Sequence, residues 1–203
     1  MSPKPDVSQE RKQQIMQAAL QVFSQDGLHK ARMDDIAKAA GLSKGTLYWY
    51  FSSKDKIIAD LLANFFDREF SKIEAWSIRD VSARDLLQKL VDMLVEDLLL
   101  EKQFMPILYE FWAMSFRNPT VGKFIRESMY RYLDLLVPLV QRGIDTGEFR
   151  DLAARDIAMA LGAIIEGSIL LWSYDLDNLD FQKLISNSVS IFLDGIQDTS
   201  NKA

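Results

Sequence analysis

Residues 33–51 read MDDIAKAAGLSKGTLYWYF, and this stretch decides the fold. Ile36, Ala37 and Ala40 recur at helical spacing, which predicts a short amphipathic helix from Met33 to Ala40. Gly41-Leu42 breaks it with a tight turn, and Ser43 is placed to cap a second short helix through Tyr50. Two short helices across a glycine turn, after a longer one, have the spacing of a helix-turn-helix. Leu47 and Phe51 face inward with Ile36 and Leu42, leaving Lys44, Gly45, Thr46, Tyr48, Trp49 and Tyr50 around the outward side. Those residues suit a DNA groove. Lys44 carries a cation, Gly45 permits close approach, Thr46 can bond a base edge or touch a thymine methyl, and the hydroxyls of Tyr48 and Tyr50 reach phosphates. Lys54 sits at the start of the next helix, where phosphate contacts are natural. One of the three aromatics should pack on the first helix instead, and Trp49 is the expected packer.

Upstream, Ser8 can cap a first helix on which Ile15, Ala18, Ala19, Val22 and Phe23 share a face, with Gly27 as its stop. His29 then lies in an exposed loop. Asp34 and Asp35 point about 100° apart on a helix, which disfavours a metal site; their charge suits a helix N-terminus. Downstream, Ser52 with Asp55 reads as a capping box for a long helix toward Glu74, and Ser82 with Asp85 as another. A short aromatic helix follows at 104–116, and Asn118-Pro119 opens a helix that reaches Asp145 with a bend near Pro138. Two more helices, 151–174 and 180–196, complete an all-α chain of about nine helices with no strand pattern of useful length.

Composition narrows the function classes. The 203 residues include no cysteine, which removes thiol catalysis and disulfide scaffolds, and one histidine, His29, which leaves a multi-histidine metal site or a Ser-His-Asp triad little to draw on. No glycine-rich phosphate loop, HExxH or GxSxG occurs. An enzyme is not expected, nor a metal or cofactor. Residues 1–60 carry a balance of +2 and the remainder −7, so a mildly basic head sits on an acidic body. Met1 to Val7 is polar and is no signal peptide; Ile157 to Tyr174, the most apolar stretch, is interrupted by Glu166. A cytoplasmic protein with no membrane partner is the expectation.

The run Ile15-Met16-Gln17-Ala18-Ala19, Phe23, Gly27, Asp34-Asp35-Ile36-Ala37 and Ala40 through Phe51, with Lys54, closely resembles the TetR family of bacterial transcriptional regulators. The match spans about residues 9–69 in register, with the helix-turn-helix at about 32–51. The resemblance implies a DNA-binding domain at 9–69 and an effector-binding and dimerisation domain at 75–197. It also implies a homodimer on a palindromic double-stranded operator, released by a small effector, and DNA contacts from Lys44, Thr46, Tyr48, Tyr50 and Lys54. One departure stands out: the family has Ser or Thr capping the second helix where this chain has Arg32. Arg32 either contacts phosphate from there or is a solvated loop residue.

In the body, the helix at 157–174 is apolar nearly all round, so one side can face its own core and another a second subunit. With the last helix it suits a four-helix dimer interface, for which Ile165, Ile169, Leu184, Val189, Phe192 and Ile196 are the candidates. Most body aromatics will be core. An effector pocket, apolar or aromatic in preference, would draw on Phe66, Phe70, Phe104, Tyr109, Trp112, Tyr130 and Trp172. Glu110 and Glu166 stand in apolar surroundings. Each either meets a ligand or is held internally, by a salt bridge such as one with Arg131 or by a hydrogen bond across the dimer. The competing class is a helical sensor or interaction protein without sequence-specific DNA binding; the intact 43–51 helix argues against it.

Overall fold

The computed structural model describes residues 7–102 and 105–198, and among them nine α-helices. They are α1 (Val7–Lys30), α2 (Met33–Ala39), α3 (Lys44–Tyr50), α4 (Lys54–Ser77), α5 (Ala83–Leu100), α6 (Met105–Ser115), α7 (Pro119–Asp145), α8 (Ala154–Tyr174) and α9 (Phe181–Ile196). The chain forms two compact units, one of residues 1–66 with 103–122 and the other of 67–102 with 123–203. Residues 103–122, which the sequence reading assigns to the body, thus group with the head.

The first unit is built on α1. Ile15, Ala19 and Phe23 are its innermost residues, and Ile36 of α2, Leu47 in the middle of α3, Phe51 at its C-terminal cap and Ile57 of α4 are buried as fully. Gln14 fastens α1 to the end of α2 by donating to the Ala40 carbonyl at 2.6 Å. The turn between α2 and α3 needs Gly41, whose φ of 65° is costly for any residue with a Cβ. There the amides of Gly41 and Leu42 reach back to the carbonyls of Lys38 and Ala37 and close the helix. Ser43 caps α3 as expected, its hydroxyl accepting from the Thr46 amide at 3.1 Å. Two expectations shift by a residue. Helix α1 has already begun at Val7, so Ser8 lies in its first turn, and at α4 it is Ser53, not Ser52, whose hydroxyl accepts from the Lys56 amide.

In the second unit α9 packs against both α5 and α8. Ile185, Val189 and Leu193 of α9 are fully enclosed, and Trp172 stacks on Phe181 with ring centroids 4.3 Å apart. Ser82 and Asp180 cap α5 and α9, accepting from the amides of Asp85 and Lys183. After α7, the Phe149 ring folds back over Gly143, where a Cβ would sit 2.4 Å from the ring. By length and mean hydropathy (1.6) α8 is apolar enough to cross a bilayer, contrary to the sequence expectation. Its apolarity instead serves two faces: Ile157, Ala158, Leu161, Ile169 and Trp172 are buried, while Met159, Leu170, Leu171 and Tyr174 are exposed.

Candidate nucleic-acid interface and body cavity

Helix α3 shows one face to the core and one to solvent. Leu47 is fully buried; Lys44, Gly45, Tyr48 and Trp49 are exposed, and Thr46 and Tyr50 half-buried. Trp49 does not pack on α1. It is 75% exposed, the most open large side chain of the helix, and leans only on the edge of Tyr50 at 4.6 Å. Lys44 pairs with Asp34 at 2.8 Å, and that carboxylate raises the ammonium's pKa above its usual value. Thr46 spends its hydroxyl on Ser43 at 2.8 Å. Nothing inside the chain requires glycine at 45, where a Cβ would meet only the Ser43 hydroxyl at 3.9 Å.

Arg32 is exposed at the start of α2 and makes no side-chain cap. Its amide donates to the Asp35 carboxylate at 3.2 Å, which is the reciprocal half of a capping box; the other half, an N-cap side chain accepting from the Asp35 amide, is one that arginine cannot supply. Lys54 is placed differently from the expectation: its ammonium donates to the carbonyls of Leu28 and Ala31 rather than standing clear.

A cavity of about 40 Å³ lies in the second unit. Eight aliphatic side chains line it (Ile73, Leu87, Leu90, Val91, Leu94, Leu136, Leu161 and Ile165), together with Glu69, Lys72 and Tyr132. Glu69 is only 4% exposed and is held by Lys72 at 3.2 Å and Arg68 at 3.6 Å; Lys72 also pairs with Asp97. Burial, with the Glu69 charge nearby, pushes the Tyr132 hydroxyl far above its ordinary pKa and keeps it a donor.

None of the sequence-chosen pocket residues lines this cavity. Phe70 is buried against Tyr132 and under the Arg131 guanidinium, Trp172 is stacked on Phe181, and Tyr130 faces solvent. Tyr109 and Trp112 contact each other edge to face on α6, Phe66 is half-buried in the first unit, and Phe104 lies outside the described residues. Glu110 binds the Leu28 amide at 2.8 Å, and Arg131 pairs with Asp67 instead of either glutamate. Glu166 stands on the exposed face of α8, where partial burial raises its carboxyl pKa. The interface candidates divide as well. Ile169, Val189 and Ile196 belong to the chain's own core, Ile165 lines the cavity, and Leu184 and Phe192 are half-buried. Sequence reasoning missed Glu69 and Lys72, although one turn of α4 holding opposite charges beside Phe70 and Ile73 was a visible signal.

Two family models match the chain: bacterial regulatory proteins of the tetR family over residues 15–61, and the C-terminal part of BetI-type transcriptional repressors over 83–195. The chain belongs to the TetR family. It is a ligand-responsive, DNA-binding transcriptional regulator. The regulator BetI of Stenotrophomonas maltophilia is 29% identical over 171 residues, 83% of this chain and 86% of its own. Two solved structures share the fold at 22% identity. The regulator FadR of Bacillus subtilis, in complex with stearoyl-CoA, has a TM-score of 0.79 over 91% of this chain and 99% of its own. A transcriptional regulator of Saccharomonospora viridis, in complex with choline, has a TM-score of 0.81 over 93% and 98%. Among the described residues, no group of three or more His, Cys, Asp or Glu side chains is placed to hold a metal ion.

Proposed function

We propose that the chain is a cytoplasmic repressor, without enzymatic activity, that binds a palindromic operator as a homodimer and is released by a small aliphatic effector. The outward face of α3 carries the reading: Lys44, Gly45, Tyr48 and Trp49 stand exposed on a firmly capped helix whose other side is core. Residues 9–69 form the DNA-binding domain and 75–197 the effector and dimer domain. Lys44, Tyr48 and Tyr50 serve phosphates, and Arg32 from the start of α2 does the same. Gly45 admits the backbone close to the groove, and the Thr46 methyl faces the bases, its hydroxyl being engaged.

The cavity sets the effector's chemistry. Its walls are aliphatic with one aromatic ring, so they suit an alkyl chain better than a cation that needs an aromatic cage. Glu69, Lys72 and the Tyr132 hydroxyl would hold a polar end. The long acyl chain in the B. subtilis FadR complex supports this reading more than the choline of the S. viridis complex. A space of about 40 Å³ holds only a few water-sized groups, so an effector binds by spreading the helices. That gives it unequal affinity for the closed and spread states, which is what a population shift away from DNA binding requires.

Selection of a duplex from a random pool, then anisotropy titration at two salt concentrations, tests the reading. A palindromic site whose affinity falls steeply with salt, and further in Lys44→Ala, is the expected result. No enriched site at any salt would leave a helical sensor without operator binding.

A further inference from the structure

Two charged side chains, Glu110 and Lys54, converge on one turn of the first unit. Gly27 (φ 75°, ψ 159°) interrupts α1, and the chain winds one more turn, closed by the Ala31 amide on the Gly27 carbonyl at 3.2 Å. A single turn leaves amides unpaired at its start and carbonyls unpaired at its end. Here each end meets a full charge of the sign that a helix terminus favours. At the start, the Glu110 carboxylate of α6 accepts from the Leu28 amide at 2.8 Å. At the end, Lys54 Nζ donates to the carbonyl of Leu28, to that of Ala31 at 3.1 Å and to that of His29 at 3.4 Å. Leu28 and Ala31 are buried, and the next residue, Arg32, begins α2 through its bond to Asp35.

We propose that Glu110 and Lys54 are positioning residues for operator binding. They clamp the turn at 28–31 and so set the angle at which α2 and α3 leave α1. Through Glu110 that angle depends on α6 staying docked, which makes α6 a control element of the head: withdrawing it uncaps the turn without touching any residue of α3. The proposal rests on the operator-binding reading above. Glu110 is exposed, so replacing it removes a bond and opens no hole in the core.

The test uses the full chain and the selected operator, with amide hydrogen exchange followed by NMR. In Glu110→Ala, operator affinity should fall about fivefold, the effect of one lost helix cap, with the circular dichroism spectrum unchanged. Exchange at the Leu28 amide should accelerate in the same variant. Glu110→Gln keeps an acceptor oxygen and should restore most of the affinity. Lys54→Met should weaken binding without changing the slope of log affinity against log salt, whereas a lost phosphate contact lowers that slope by about one. Unchanged Leu28 exchange, wild-type affinity in Glu110→Ala, equal losses in the Ala and Gln variants, or a reduced slope in Lys54→Met would each overturn the clamp. A wild-type chain that selects no DNA would overturn the operator reading and this role with it, and Leu28 exchange would still report whether the bond forms.

Discussion

Gly45 separates folding from function at a single residue. Its missing Cβ would meet nothing closer than the Ser43 hydroxyl at 3.9 Å, so the fold has no use for the vacancy and an approaching DNA backbone does. Gly45→Ala should therefore raise thermal stability, by up to about 1 kcal/mol from helix propensity, while lowering operator affinity. A gain in stability with full affinity would remove Gly45 from the interface. Trp49 offers a direct optical check, since it is 75% exposed on the same face. Its emission should change on addition of operator and should not do so in Trp49→Phe, the other three tryptophans serving as the background. The residue scale is also where sequence reading is weakest. Tyr48, Trp49 and Tyr50 are adjacent aromatics on one short helix, and hydrophobicity alone ranks Trp49 as the packer; about 100° of rotation per residue decides otherwise. Lys54 is a lysine near a DNA-binding motif, and nothing local reveals that three carbonyls from 28–31 stand within its reach.

At the scale of elements the sequence is far more legible, because helix ends are local chemistry. Ser43, Ser82 and Asn118 each accept the amide bonds that their spacing predicts, and Gly27, Gly41 and Gly147 all take positive φ at helix ends or breaks. What remained hidden is rotation about each helix axis in the body. Helix α8 is apolar almost all round, so periodicity cannot say which stripe meets α9, which meets the cavity and which meets solvent. Hence the pattern points Val189 and Ile169 toward an interface while they lie in the chain's own core, and the cavity walls are mainly aliphatic, with none of the aromatics that the pattern favours. Gly143 is the clearest element-level constraint that only packing exposes. A methyl there would sit 2.4 Å from the Phe149 ring and 2.8 Å from the Ala83 side chain, in a place closed by backbone bonds from Glu148 and Phe149 to the Gly143 carbonyl. Gly143→Ala should destabilise the chain by about 1–3 kcal/mol despite alanine's better helix propensity. A melting temperature at or above wild type would show that the 143–149 turn relaxes freely.

For the whole molecule, α8 and α9 carry the apolar surface that the proposed homodimer would cover. On α8 the exposed residues Met159, Ala163, Gly167, Leu170 and Tyr174 follow helical spacing, and on α9 Ile191 is 72% exposed between the small residues Ser188 and Gly195. Two such faces, apolar and stepped with small residues, suit a second copy of the same pair in a two-fold bundle. Glu166 sits within that stripe on α8, and burial already raises its carboxyl pKa above the ordinary glutamate value in the single chain. Dimerisation along this face would exclude more water and penalise the charged form further. The sign follows directly. At low pH the carboxyl is protonated in both the separate and the paired chains, so no penalty applies; as pH rises and the carboxyl ionises, the paired state must hold a charge it disfavours more than the separate chain does, and association weakens. The dimer should therefore be tighter at about pH 5 than at about pH 8, and Glu166→Gln should tighten it near neutrality and flatten its pH dependence. Sedimentation equilibrium on both chains measures this, with Ile191→Asp as the variant expected to be monomeric and to lose operator affinity. An unaltered pH profile in Glu166→Gln would place the subunit contact on another surface, because a carboxyl left in water by the dimer has no reason to sense it.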